Sequence, residues 1–137
     1  MIVVSGCLVG ENCKYNGGNN KNQKVLDFLK GKKYITVCPE MLGNLPCPRY
    51  PSEIVGEKVI NKIGHDVTEN FISGGKKALE IALCNKCTLA ILKEGSPSCG
   101  NNLVYDGSFT NKKIQGQGIT AKMFKEMGIE VISENDV

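Results

Sequence analysis

The sequence predicts an α/β protein: a single three-layer domain with a mostly parallel sheet, Rossmann-like or flavodoxin-like, with its active site at the carboxyl ends of the strands. Three observations carry that expectation. Short apolar, β-rich runs alternate with amphipathic helical stretches, the pattern of helices packed on a parallel sheet. The 137 residues suffice for one core without staples, and no internal repeat, low-complexity tract or boundary appears, so residues 1–137 read as one domain. Three of the apolar runs lead into a cysteine: MIVVSGC at Cys7, YITVCPE at Cys38 and TLAILKEGSPSCG at Cys99. In an open parallel sheet the carboxyl ends share one edge, where such proteins bind ligands.

The elements follow in order. Residues 2–6 form the first strand and residues 7–21 a polar loop rich in Gly and Asn. A short helix at about 22–30 places Val25, Leu26 and Leu29 on one face, with Gly31 set to stop it. The second strand is 34–37. The four prolines of CPEMLGNLPCPRYPSE then argue for a long loop, free of helix and central strand, of the kind that serves function or forms a lid. Residues 54–55 and 58–60 pair as a hairpin around Gly56. Asp66 and Glu69 match a capping box opening a helix to about Leu83, whose Phe71, Ala78, Leu79 and Ala82 share one face. Residues 88–92 are the third core strand. SPSCG follows, and LVYDG with the polar run to Gly118 makes a surface excursion. Ile119, Met123, Phe124 and Met127 define the last helix, closed by Gly128, and residues 130–133 the final strand.

Bulk properties narrow the partners. Seventeen Lys and Arg against 14 Asp and Glu give a net charge of +3, with no basic run longer than two residues. Such pairs read as solvated surface, and no nucleic-acid polymer is expected as a partner. No apolar run approaches the roughly 20 residues of a membrane span. The start MIVVSG lacks a basic segment and a cleavage site, so it reads as a strand and the expected location is the cytoplasm. Seven cysteines, an odd number, are in a reducing compartment buried, metal-bound or reactive.

Cys7, Cys38 and Cys99, each running into a Gly- or Pro-containing turn, read as a shared soft-metal site with one position open for substrate. Soft thiolates select zinc, copper(I) or iron–sulfur clusters, and the local cluster-binding spacings are absent, so spacing does not choose among them. Cys13 and Cys47 are further thiols that can serve as a fourth ligand or a neighbour. Cys84 and Cys87 form a C-x-x-C with no second pair to complete a zinc ribbon, and read as structural. Glu40, two residues past Cys38, is placed to act as a general base or to position water. Ser96 and Ser98 flank Pro97, and either hydroxyl could hold a water or a leaving group. His65 reads as an exposed residue before a helix. Gly116 and Gly118 make a weak phosphate cradle, and the dinucleotide fingerprint is missing after the first strand, which argues against NAD.

VSGCLVG, KYNG, CPEMLGNLPCPRYPSEI, GHDVTENF, AILKEGSPSCG, YDGSF and GQGITA together resemble the thiouracil desulfidase-like family, long catalogued as domain of unknown function 523. The resemblance runs from Val4 to about Ser133. It implies a [4Fe-4S] cluster held by three cysteines, by motif Cys7, Cys38 and Cys99, with the fourth iron free to bind the sulfur of a thiolated nucleobase or nucleoside. It also implies Glu40 and one of Ser96 and Ser98 as catalytic groups in a non-redox desulfuration. This chain departs from the usual pattern at Lys14 and Asn16, where Arg and Asp are common, and in its extra thiols Cys13 and Cys47. Two other readings are a sulfur-transfer protein, and a non-catalytic structural or sensor module holding zinc or a cluster.

Overall fold

The computed structural model describes residues 1–137. In chain order the elements are β1 (Ile2–Ser5), α1 (Gln23–Leu29), β2 (Tyr34–Val37), α2 (Pro39–Leu42), β3 (Ser52–Val55) and β4 (Lys58–Asn61). Then come α3 (Thr68–Cys84), β5 (Leu89–Leu92), β6 (Leu103–Tyr105), β7 (Lys113–Gln115), α4 (Ile119–Glu126) and β8 (Glu130–Ser133). Short 3₁₀ turns follow β1 (Gly6–Val9) and β8 (Glu134–Asp136).

The central sheet has four strands in the order β2-β1-β5-β8, all parallel, with Val4 beside Thr36 on one side and Ile91 on the other. Side chains alternate across it, and each face has its own core. Val3, Ala90, Leu92 and Val131 pack against Ala78 and Ala82 of α3 and Ala121 and Phe124 of α4. Val4 and Ile91 pack on the opposite face with Leu8, Val25 and Leu29. Helices on both faces make the expected three layers. Because the strands are buried on both sides, they read in sequence as unbroken apolar runs.

The chain moves outward from β1 to β2, then crosses back over β1 to β5. The order therefore reverses between β1 and β5, and the crevice beyond their carboxyl ends is the topological switch point where α/β sheets bind ligands. Two antiparallel hairpins, β3–β4 and β6–β7, stand outside the sheet and wall this crevice. Buried Glu53 joins them, its Oε1 accepting the Gly107 N–H at 2.9 Å and the Phe109 N–H at 3.2 Å.

Several expectations need correction. The Pro-rich segment does contain a helix, α2, because Pro39 stands at its first position, where a missing N–H costs nothing. The capping box does not form: α3 starts at Thr68, and Asp66 accepts the Thr68 N–H (2.9 Å) and hydroxyl (2.6 Å) instead. The excursion after SPSCG folds as β6–β7. In α4 the buried face is Thr120, Ala121 and Phe124, whereas Met127 is exposed.

α2 lies unusually close to α3. A Cβ at Gly74 would overlap the Pro39 carbonyl oxygen, and one at Gly43 the Asn70 carbonyl oxygen, so the two helices touch backbone to backbone. Asn70 Nδ2 closes the contact by donating to the Gly43 carbonyl at 2.8 Å. The residue that opens α2 is Cys38, so this contact sets where the second strand's cysteine and Glu40 stand.

Candidate functional site

A cavity of about 470 Å³ lies at the switch point, and Cys7, Cys13, Cys38, Cys99, Glu40 and Ser96 all line it. The three strand-end cysteines are thus brought together, each by a different element. Cys7 sits in the 3₁₀ turn after β1, and its Sγ accepts from Asn20 Nδ2 at 3.4 Å. Cys38 follows β2 and stands at the N-cap of α2, its Sγ 3.8 Å from the Cys13 carbonyl oxygen. Cys99 is buried in the turn after β5, its N–H donating to Ser96 Oγ at 3.0 Å. The Ser5 hydroxyl, at the end of β1, accepts the Lys93 N–H at 3.0 Å and so joins the ends of β1 and β5.

The thiols are electrostatically unequal. The Cys13 thiol beside Cys7 holds the Cys7 thiol below its ordinary value, with Asn20 and Lys93 helping and burial opposing. Cys38 is lowered to about 7, first by the Cys13 contact and then by the Met41 N–H and Arg49, against burial and Glu40. Cys13 is raised by the neighbouring Cys38 and Cys7 thiols and by burial. Burial pushes Cys99 up to about 12, opposed by the Ser5 hydrogen bond. No three Cys, His, Asp or Glu side chains converge as a ready-made site for a single metal ion.

Glu40 is half-buried in the first turn of α2. Its carboxyl is raised by burial and held back by Arg49, whose Nε donates to Oε1 at 3.0 Å. Sequence reasoning missed Arg49. Its guanidinium, 6% exposed, also donates to the carbonyls of Cys13 (2.9 Å) and Pro46 (3.3 Å), tying the Pro-rich loop to the loop over Cys7. The only signal was a single arginine among prolines in a segment already marked as functional.

The two serines part company. Ser96 Oγ accepts the N–H groups of Ser98 and Cys99, both at 3.0 Å, so its own proton is free to donate into the cavity. Ser98 is fully buried, 2.7 Å from Thr120 Oγ1 of α4, and does not line the cavity. Buried Glu94 holds the following turn, its Oε1 accepting the N–H groups of Asn101, Asn102 and Leu103 at 2.7–2.9 Å.

The remaining candidates fall outside. Cys47 points at the carbonyls of Asn12 (3.3 Å) and Lys14 (3.4 Å). Cys84 is exposed and Cys87 buried where α3 meets β5, at the sheet's opposite edge. His65 is exposed. Gly118 is no phosphate cradle: a Cβ there would strike the Ser98 backbone, so the glycine serves close packing. No helix is long and apolar enough to cross a membrane.

A parallel sheet that gathers thiols, a carboxylate and a free hydroxyl about one crevice defines a cysteine-centred α/β scaffold. More particularly, the chain belongs to the 2-thiouracil desulfurase family, which it matches over residues 2–136. It is 42% identical over 147 residues to YbbK of Bacillus subtilis (strain 168), an uncharacterised protein, covering 100% of this chain and 97% of YbbK. It is also similar to a solved structure described as the [4Fe-4S]-dependent thiouracil desulfidase TudS. The two share 40% identity with a TM-score of 0.93, over 99% of this chain and 91% of that one.

Proposed function

We propose that this protein removes sulfur from a small thiolated nucleobase or nucleoside by a non-redox reaction, with water in and hydrosulfide out. The observation that carries the reading is the meeting of Cys7, Cys38, Cys99, Glu40 and Ser96 on one cavity, in a chain of this family. The donor set fits a [4Fe-4S] cluster: three soft thiols from three strand ends, not converging as a site for one ion, suit a group that spans them. Cys7, Cys38 and Cys99 would hold it. Bound by three cysteines, such a cluster supplies an iron without a protein ligand, a soft Lewis acid for a thiocarbonyl sulfur.

The chain's own groups perform the rest. Glu40 Oε1 is fixed by Arg49, which leaves Oε2 to take the proton of a water directed at the thiocarbonyl carbon. Ser96 donates its free proton to hold that water or the oxygen that forms from it. Tyr105 and Phe109 line the cavity on the β6–β7 side and offer flat apolar surface to a planar ring.

The test is anaerobic. Protein carrying about four iron and four sulfide per chain should convert thiouracil to uracil with one equivalent of sulfide released. A fully loaded protein that binds thiouracil and returns it unchanged would refute the reading.

A further inference from the structure

Three glutamates line the cavity, and the proposed function uses one. Glu40 is paired with Arg49, and Glu94 gives its Oε1 to three N–H groups of the turn that follows Cys99. Glu53 is placed differently. It stands on β3, opposite Ile60 of β4, and is 8% exposed. No cation answers its charge, since the chain's three ion pairs join Lys30 to Asp27, Arg49 to Glu40 and Lys93 to Glu134. Its Oε1 is fixed by the Gly107 and Phe109 N–H groups, whereas its Oε2 takes no hydrogen bond from the protein. That oxygen is not sealed in the core, where the one side-chain atom without a partner is Asn101 Oδ1. Because Glu53 lines the cavity, the open side of its Oε2 is the cavity itself. The segment that supplies both donors also supplies Phe109 as an aromatic wall, so acceptor and wall are held in one frame.

We infer that Glu53 Oε2 accepts the ring N3–H of the substrate and so selects uracil-type over cytosine-type thiolated rings. The inference rests on the proposed function for its ligand, a thiolated pyrimidine. A planar ring lying against Phe109 meets the acceptor with its edge. Filling the cavity strips water from Oε2, and a carboxylate oxygen so stripped demands a donor in return. A uracil-type ring supplies one at N3, between its two carbonyl-type groups, and keeps it in a nucleoside, where N1 carries the sugar. A cytosine-type ring presents a bare N3 lone pair there, acceptor against acceptor. A site built around such a hydrogen bond rejects a ligand that lacks the donor far more strongly than an apolar pocket rejects a misfit.

The experiment measures binding by calorimetry to anaerobically loaded full-length protein, with turnover followed in parallel. The ligands are 2-thiouracil, its 1-methyl and 3-methyl derivatives, and 2-thiocytosine. The two methyl groups flank the same sulfur, so they differ only in which N–H they remove. 2-Thiouracil and the 1-methyl compound should bind within a few-fold of each other, and the other two about 100-fold more weakly or worse. Glu53→Gln keeps a carbonyl oxygen for the Gly107 and Phe109 N–H groups and offers an amide N–H where Oε2 stood. Checked for an unchanged melting temperature, it should invert the order, favouring 2-thiocytosine over 2-thiouracil. Equal binding of the 1-methyl and 3-methyl compounds to the unmutated protein would overturn the inference without recourse to any variant. So would an inversion produced by Glu94→Gln and not by Glu53→Gln. Turnover of 2-thiouracil alongside either result would leave the proposed function standing. The expected binding order without turnover would strike that function and leave the role of Glu53 intact. Binding of none of the four compounds would overturn both.

Discussion

Substituting Ser96 and Ser98 separately by alanine tests whether the site was read correctly, because the two changes should act on different observables. Ser98 is fully buried and its only side-chain partner is Thr120, 2.7 Å away. Ser98→Ala deletes that bond and strands the Thr120 hydroxyl in the core, which costs about 2 kcal/mol. For a domain of this size that is a fall of about 6–8 °C in Tm. Activity should remain within a few-fold of the unmutated protein, since the hydroxyl never faces the cavity. Ser96→Ala removes an acceptor shared by two turn N–H groups, costing about 1 kcal/mol. It also removes a free donor lining the cavity, which by the proposed mechanism should lower kcat about 100-fold or more. The assay pairs thermal unfolding with sulfide release from thiouracil on anaerobically loaded protein. A Ser98→Ala/Thr120→Val double-mutant cycle should show strong coupling in stability and none in kcat. Loss of turnover in Ser98→Ala at an unchanged Tm, or full turnover in Ser96→Ala, would refute the assignment.

Three further outcomes are expected. Glu40→Gln should keep its iron and sulfide but lose about 10²–10⁴-fold in kcat, read by metal analysis alongside turnover; unchanged turnover removes Glu40 from the chemistry. Arg49→Met leaves Glu40 without its buried partner and should destabilise the fold by about 3 kcal/mol, seen as a lower urea midpoint at constant m-value; Arg49→Lys should recover only part of it, because an ammonium cannot reach three acceptors in one plane. Asp66 is held below the ordinary carboxylate range by the Thr68 hydroxyl and N–H. Its folded-state value being lowered, its contribution is present at neutral pH and lost as pH falls below about 4. The Tm gap between the unmutated protein and Asp66→Asn should therefore close on acidification, and a gap constant from pH 7 to pH 3 would contradict that.

What was legible in the sequence follows from where the determining contacts lie. The core strands were readable because a strand buried on both faces is one apolar run, and the cysteines at their ends inherited that clarity. Gly56 marked its hairpin through a local demand, a φ of +64° at the turn. The helix in CPEM is hidden by its proline, a residue that usually ends helices but at a first helical position breaks nothing. The choice between Ser96 and Ser98 was illegible for a deeper reason. Both sit in the same turn, and what separates them is Thr120, 22 residues on, which claims one hydroxyl for the core. Arg49 and Glu40 are likewise paired by a tertiary turn of the loop, not by any spacing. Cys13 was visible as a thiol six residues past Cys7, but the approach of its carbonyl to the Cys38 sulfur depends on how the loop after β1 folds.

With the proposed ligands, the strand order also constrains when the centre can be assembled during synthesis. The thiols of Cys7 and Cys38 emerge early, on β1 and β2, but Cys99 follows β5, which pairs with β1 only after α3 has crossed the sheet. A nascent chain ending before β5 exposes two of the three sulfurs on an edge with nothing opposite. If Cys7, Cys38 and Cys99 hold the cluster as proposed, its insertion is confined to chains whose central strand has docked, and iron content becomes a report on completed folding. A truncation that stops short of Cys99 should be found without iron however much of β1 and β2 it retains.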